Sequence, residues 1–237
     1  MAHDRTLIID TRRITSVKAV LRTLRMLDAR LPATSLRHLA TFNRAYVVVT
    51  TVISEASQAQ RFKNPAFIEA FSVCFANYYF AAINTYIRND SQLPAAWTLA
   101  IDGKDAASRP EFIGLLLGAN AHINYDLPLA LADTVQENKA ANLLKDIATV
   151  DKLLIKSGKQ ILGTFKESNK FAAFVKRRGR FLYFRPIMWT ILYWRVVAWQ
   201  KYRALKKQKE ALPSIARRSA KIAVRLTRIG ALLSLQR

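Results

Sequence analysis

The 237-residue chain has little cysteine, histidine, glycine or proline. Its single cysteine, Cys74, excludes an internal disulfide and a cluster of thiolate metal ligands, so we expect a reducing, cytoplasmic setting. The 7 glycines and 7 prolines exclude a low-complexity polymer. The hydrophobic fraction of 51% is typical of a globular chain that is long enough to bury a core.

Long apolar runs are also missing. The N-terminal sequence MAHDRTLIIDTRR places acids and arginines where a signal peptide needs an apolar stretch, so export by such a signal is not expected. The most apolar long segment, residues 181–199, is interrupted by Arg185, Pro186 and Arg195. We therefore expect no membrane-spanning helix there. We expect Trp189 and Tyr193 in this segment to pack in the core, and contact with a membrane interface is the alternative.

Acidic residues are scarce in the last third of the chain. Residues 1–160 contain 19 basic and 14 acidic residues, whereas residues 161–237 contain 19 basic and only 2 acidic ones. A segment of this charge favours phosphates as partners, in lipid head groups or in nucleic acid. Zinc-finger spacing, RNP-like aromatic motifs and glycine-rich phosphate loops are absent. Nucleic acid is thus less favoured than an anionic membrane surface.

What the sequence does contain is helical periodicity. Apolar residues recur at helical spacing from Asp10 to Leu31, and Pro32 ends that pattern. Thr34 or Ser35 is placed to cap a second helix, which includes the β-branched run AYVVVTTVIS. The sequence predicts an all-α fold, with a multi-helix domain over residues 1–205 and a basic amphipathic helical extension over residues 206–237.

The predicted extension combines an apolar stripe with a basic face. The stripe consists of Ile222, Leu226, Ile229 and Leu233, and the basic face consists of Arg217, Lys221, Arg225 and Arg228. This composition is typical of a cationic helix that lies on an anionic membrane surface. The alternative is a terminal helix that docks on its own domain and leaves its charges in water.

The segment GANAHINYDLPLALAD, residues 118–133, concentrates polar side chains in apolar surroundings. On a helix, His122, Asp126 and Asp133 share one face, and Asn120 and Asn124 form a second pair four residues apart. An imidazole and a carboxylate at this spacing can bind one divalent metal ion, zinc or iron, or act as a general base and the group that orients it. In the structural alternative, Asp126 caps a helix and His122 bonds to it.

A metal site would need further ligands, because catalytic zinc normally has about three protein ligands. The candidates elsewhere in the chain are His38, Glu55, Glu69, Asp133, Glu137 and Asp146. With three histidines in all, the chain cannot build a histidine-rich site for three zinc ions.

The stretch NAHINYDLPLAL, with FNRAYVVVT, FANYYFAA and Trp97, resembles a bacterial family known as a domain of unknown function. The resemblance covers roughly residues 36–205. Through it, the family pattern points to Asn120, His122, Asn124, Asp126 and Pro128, and in the upstream motif to Asn43, Tyr46 and Thr50. We predict that these three residues, with Trp97, form a substrate pocket. The segment WRVVAWQKYRAL resembles the family's closing helix and pairs Arg195 with Trp199. The family implies no activity.

A weaker resemblance is to the zinc-dependent phospholipase C and nuclease group. These all-helical proteins use a His-x-x-x-Asp helix with a following proline as metal ligands, an outline that His122, Asp126 and Pro128 match. The next histidine of that group is absent here, where Ala130 and Leu131 stand instead. The resemblance therefore leaves a one-metal or carboxylate-rich site.

Two functions are consistent with these patterns. The first is a metal-assisted hydrolase that acts on a lipid-like or apolar ester or phosphoester at the membrane surface, with Asn120 or Asn124 orienting the substrate. Within it, a metal-free His122 base is the alternative mechanism. The second is a non-catalytic peripheral membrane or partner-binding protein in which His122 and Asp126 are structural. Cytoplasmic location, peripheral to the membrane, suits both.

Overall fold

A computed structural model describes residues 5–101, 109–135, 140–165, 180–207 and 211–235. It confirms the all-α prediction: the described residues form a single helical domain without strands. The α-helices are α1 (Val17–Arg30), α2 (Ala40–Gln58), α3 (Pro65–Ile87), α4 (Ala95–Ile101), α5 (Glu111–Asn120), α6 (Leu127–Thr134), α7 (Ala140–Gly163), α8 (Arg180–Lys207) and α9 (Ala211–Leu235). A π-helical segment, Ala121–Asp126, joins α5 to α6.

Short polar side chains start two of these helices. The Ser16 hydroxyl accepts a hydrogen bond from the Ala19 amide at 3.1 Å, and the Asn64 side chain accepts one from the Phe67 amide at 3.1 Å. The predicted cap at Thr34 or Ser35 is wrong. Two short 3₁₀ turns, Leu31–Ala33 and Arg37–Leu39, occupy this region, so α2 begins only at Ala40. The β-branched run within α2 is helical, as predicted.

Helix α2 lies at the centre of the domain and packs against α1, α5 and α7. Gly118 lets α5 approach α2 closely, because a Cβ atom there would lie 2.5 Å from the Phe42 ring. The largest fully buried side chains include Trp97 of α4 and Tyr79 and Phe80 of α3. The main core is thus built where α1 to α5 converge.

Helix α9, the predicted basic extension, packs on this domain. It lies against α4, α5 and the π segment, and it buries Ile215, Ser219 and Ala223. The Asn120 side-chain amide donates a hydrogen bond to the Ser219 carbonyl at 2.9 Å. The division predicted between residues 205 and 206 falls inside α8, two residues before its end.

The π segment runs directly into α6, whose second residue is Pro128. The Leu127 amide donates to the His122 carbonyl, five residues back, and Asp126 has helical φ and ψ angles of −74° and −37°. The wider turn accommodates Pro128, whose ring would meet the carbonyl four residues back in a regular α-helix. The prediction that Asp126 caps a new helix is wrong, because its side chain makes no cap hydrogen bond.

Helix α8 has one buried and one exposed face. Met188, Ile191 and Trp194 are buried, whereas Trp189 and Tyr193 are exposed. The prediction that Trp189 and Tyr193 pack in the core is therefore wrong: the helix turns these two rings outward and packs its neighbouring residues Met188, Ile191 and Trp194 inward.

One described helix, α3, is long and apolar enough by length and composition to cross a membrane. Of its most apolar 18-residue window, 33% is buried inside the protein.

Candidate functional site

His122 and Asp126 form a buried hydrogen-bonded pair on the π segment. The His122 Nδ1 atom lies 2.9 Å from Asp126 Oδ2, and the two residues are 3% and 1% exposed. Trp97, from α4, donates its indole N–H toward both carboxylate oxygens, each 3.1 Å away. A buried carboxylate needs such donors, since an unpaired one is costly. Trp97 and Asp126 therefore fix the orientation of the His122 ring.

Burial determines the charge of this pair. It lowers the pKa of His122 well below its usual value, so the imidazole is neutral. It raises the pKa of Asp126, and the hydrogen bond from Trp97 opposes that rise. When the neutral ring donates its Nδ1 proton to Asp126, the Nε2 atom carries a lone pair. We assign the proton to Nδ1 from this hydrogen-bond network.

Aromatic rings surround the imidazole. Phe75 of α3 stacks on it with ring centroids 3.6 Å apart and an angle of 8° between the planes. Tyr46 lies 4.8 Å away, and the Phe42 ring meets it edge-on at 5.7 Å. These contacts hold the ring in place and exclude water from its faces.

Beside the ring lies a cavity of about 130 Å³, which we call the His122 cavity. Side chains of α2, α3, α5, the π segment, α7 and α8 line it, and most are apolar, including Val49, Ile53, Phe71, Leu154, Met188 and Ile191. Two buried polar atoms of its lining residues, His122 Nε2 and Thr50 Oγ1, have no hydrogen-bond partner in the described part of the chain. A cavity of this size in an apolar wall is large enough for a ligand about as large as benzene.

The two asparagines make a separate, structural pair. Asn124 donates its amide to Asn120 Oδ1 at 3.1 Å, and Asn120 in turn donates to the Ser219 carbonyl of α9. Neither residue lines the His122 cavity. The predicted role of these asparagines in orienting a substrate is therefore not supported by their position.

Comparison with protein families gives one match. The family of unknown function DUF5995 matches residues 17–235, nearly the whole chain. The chain belongs to this family. No curated protein and no solved structure matches it.

The predicted substrate-pocket residues of this DUF5995 chain divide into two groups. Tyr46 and Thr50 line the His122 cavity. Asn43 does not: it is fully buried, donates to the Leu24 carbonyl at 2.9 Å and accepts from the Tyr79 hydroxyl at 3.4 Å. Trp97 does not line the cavity and contacts the site through its hydrogen bond to Asp126.

The predicted metal ligands do not converge. Asp133 is exposed and accepts a hydrogen bond from the Tyr78 hydroxyl at 2.7 Å, while Asp146 binds the amides of Lys63 and Asn64. Glu137 lies outside the described residues. Within the described ranges, no three His, Cys, Asp or Glu side chains stand close enough to hold a metal ion. The pair of His122 and Asp126 alone does not fit a resident zinc or iron ion.

The predicted membrane-contact residues share one surface. The side chains of Arg217, Lys221, Arg225 and Arg228 are all exposed on α9, beside the exposed apolar residues Val224, Ile229 and Leu232.

Sequence reasoning missed the stacked partner of the imidazole. Phe67, Phe71 and Phe75 stand four residues apart on α3 and stack in series at 5.7 and 5.6 Å. That spacing is visible in the sequence and predicts one aromatic ridge. Its position opposite His122 is a long-range contact that no local pattern contains.

Proposed function

We propose that this protein binds a small, mostly apolar molecule in the His122 cavity and that the ligand donates one hydrogen bond to His122 Nε2. The observation that carries this proposal is the buried Nε2 atom of His122, which has no hydrogen-bond partner among the described residues and belongs to a residue that lines an apolar cavity. A hydroxyl on a ring or a short chain has the required chemistry.

The energetics favour an occupied cavity. A buried polar atom without a partner costs about 1–3 kcal/mol, and a ligand donor at Nε2 removes that cost. The apolar walls contribute the hydrophobic part of binding, about 25 cal/mol for each Å² of apolar surface that is buried. Thr50 lines the same cavity, and its buried Oγ1, which also has no partner among the described residues, offers a second polar contact.

Hydrolysis of a small ester is the catalytic form of this proposal. Nε2 would take a proton from the water that attacks the ester carbonyl, while Asp126 holds the ring and stabilises its charge. The low pKa that burial gives His122 makes the ring a weak base, which favours binding over catalysis. This catalytic form corresponds to the membrane-surface hydrolase expected from the sequence, but it uses no resident metal ion.

Phenol and benzene make a matched pair of probes, because they differ by one hydroxyl and both suit a cavity of this size. We expect phenol to bind about three to ten times more tightly than benzene, the range for one net hydrogen bond. Calorimetric titration measures both affinities. Equal affinities would contradict the proposal.

His122→Asn is the decisive variant. Its amide nitrogen is attached to Cγ, as His122 Nδ1 is, so it can still donate to Asp126, while Nε2 is removed. The variant should bind both probes equally and remain folded. Ser157→Ala, on the buried side of α7, is a control, because its hydroxyl bonds the Leu153 carbonyl and Ser157 does not line the cavity. A preference for phenol that survives His122→Asn would exclude Nε2 as the acceptor. Hydrolysis of phenyl esters by wild type, lost in His122→Asn, would support the catalytic form.

We also propose that α9 binds anionic membrane surfaces. Its exposed face joins four basic residues to apolar ones, and Trp189 and Tyr193 are exposed on α8. Each basic residue near an anionic surface contributes about 1 kcal/mol. The helix can do this while docked, because its core residues, Ile215, Ser219 and Ala223, lie on the other side.

Charge removal tests this role without unfolding the helix. Changing Arg217, Lys221, Arg225 and Arg228 to Gln should weaken sedimentation with phosphatidylglycerol vesicles about 100-fold or more at low salt. The control changes four exposed lysines of α7, Lys145, Lys152, Lys156 and Lys159, to Gln, which lowers the net charge equally. An equal loss in both variants would mean that only overall charge matters.

A further inference from the structure

A second pocket, of about 250 Å³, lies where the first turns of α2 and α5 meet. We call it the arginine pocket, and its charged and polar walls are Arg37, His38, Thr41, Arg44, Arg109 and Glu111. It shares no lining residue with the His122 cavity. With three guanidinium groups and one carboxylate, its walls carry a net positive charge.

Arg44 is the best placed group for a ligand. Its Nη2 donates to the Thr41 hydroxyl at 3.2 Å and lies 3.9 Å from Glu111 Oε1, which is too long for a hydrogen bond. Its Nε atom is buried and has no hydrogen-bond partner among the described residues. A guanidinium that is held on one side and keeps an unpaired N–H is suited to an oxyanion.

The other walls increase the positive potential. Arg109 is anchored by bonds to the Leu99 and Ala100 carbonyls, and Arg37 is exposed at the rim. Helix α5 begins at Glu111 with no side-chain cap on Pro110, so its positive dipole end adds to the field. The pKa of His38 is lowered to about 4 by burial and by the charges of Arg109 and Arg37. His38 is therefore neutral and able to hydrogen-bond.

We infer that the arginine pocket binds a phosphate group, with Arg44 as the main donor and Arg37 as a second cation at the rim. Among the described lining residues, only Glu111 carries a carboxylate, which opposes an anion. A free phosphate and a phosphomonoester lipid head group present the same chemistry, so they are the two possible sources.

Calorimetric titration with inorganic phosphate at low ionic strength tests the free source. Arg44→Gln should weaken binding about tenfold or more, as expected for a lost charge-assisted bond. Arg37→Gln should weaken phosphate binding about threefold. Because Arg37 is exposed, we expect this variant to remain folded. Glu111→Gln should strengthen binding, because it removes the opposing charge.

Vesicle binding tests the lipid source. Phosphatidic acid carries a phosphomonoester and phosphatidylglycerol does not, so vesicles of the two at equal surface charge separate the pocket from general attraction. Wild type should prefer phosphatidic acid, and Arg44→Gln should lose that preference. Lys159→Gln, on the exposed face of α7, removes one positive charge outside the pocket and outside α9, so it is the charge-matched control and should leave phosphate affinity unchanged.

If the binding of phosphate or of phosphatidic acid changes in these directions in the Arg44, Arg37 and Glu111 variants, the result supports the pocket and identifies its ligand. The inference is overturned if wild type binds neither phosphate nor phosphatidic acid selectively. It is equally overturned if Lys159→Gln weakens binding as much as Arg44→Gln does. Circular dichroism and thermal unfolding of each variant establish that it is folded.

Discussion

The two polar pairs around the π segment have the same spacing and opposite surroundings. Asn120 and Asn124 lie against α9, and their bonds lead to the Ser219 carbonyl. His122 and Asp126 lie against α3 and α4, and the imidazole borders a cavity with Nε2 unpaired. Asn124 Oδ1 also lacks a partner in the described ranges, but it does not line that cavity. A buried polar pair becomes a candidate site when the residue with the unpaired atom also lines a void.

Asp126→Ala should have the largest effect on stability of the variants in either pair. It leaves the Trp97 indole N–H and the His122 Nδ1–H buried without an acceptor, so we expect the free energy of unfolding to fall by about 3–5 kcal/mol. Denaturant unfolding measures this loss. Asp133→Ala, which removes an exposed carboxylate from the next helix, is the control and should cost about 1 kcal/mol or less. Similar losses in both variants would show that the Asp126 bonds do not stabilise the fold.

Asn120→Ala tests the structural pair. The Ser219 carbonyl and the Asn124 amide lose their partner, so unfolding should become easier by about 2–3 kcal/mol. Below its unfolding temperature, this variant should keep the wild-type preference for phenol over benzene. If that preference disappears in the folded variant, the two pairs act as one network and the distinction between them fails.

Of the two polar pairs, only the pair of His122 and Asp126 should contribute to the pH dependence of stability. Burial depresses the pKa of His122 in the folded state, so below about pH 6.5 the unfolded chain binds the extra proton and stability falls with falling pH. The pKa of Asp126 is raised in the folded state, so its effect on the pH dependence of stability has the opposite sign. Asp126 is present both in wild type and in His122→Asn. We expect wild type to lose about 1–2 kcal/mol of stability relative to His122→Asn when the pH falls from 7 to 5.

Unfolding curves at several pH values measure this difference. Asn120→Ala should keep the wild-type slope, since asparagine does not titrate. A wild-type slope that survives in His122→Asn would assign the acid sensitivity to another group, of which His38 is the first to examine.

The local parts of this site are readable from the sequence. The spacing of four residues predicts both the His122–Asp126 bond and the Asn120–Asn124 bond, since side chains at that interval meet on a helix. The helical state of the β-branched run in α2 also follows from its apolar periodicity. These features depend on contacts between near neighbours in the chain.

The remaining parts depend on contacts between distant residues. Trp97 reaches Asp126 across 29 positions, and Asn120 reaches Ser219 across 99. The cavity exists because six segments leave a gap between them, and no single segment encodes that gap. The error at Asp126 has the same origin: a local pattern made it a cap, whereas Trp97 and His122 use its carboxylate instead.

The bond between Asn120 and Ser219 has a consequence for the order of assembly. During synthesis, α1 to α5 leave the ribosome long before residue 219 does. The surface of α4, α5 and the π segment that α9 covers in the folded protein is therefore exposed during this time. Closing such a distant contact is slow compared with forming local helices. The nascent chain therefore exposes this apolar surface until α9 has been synthesised.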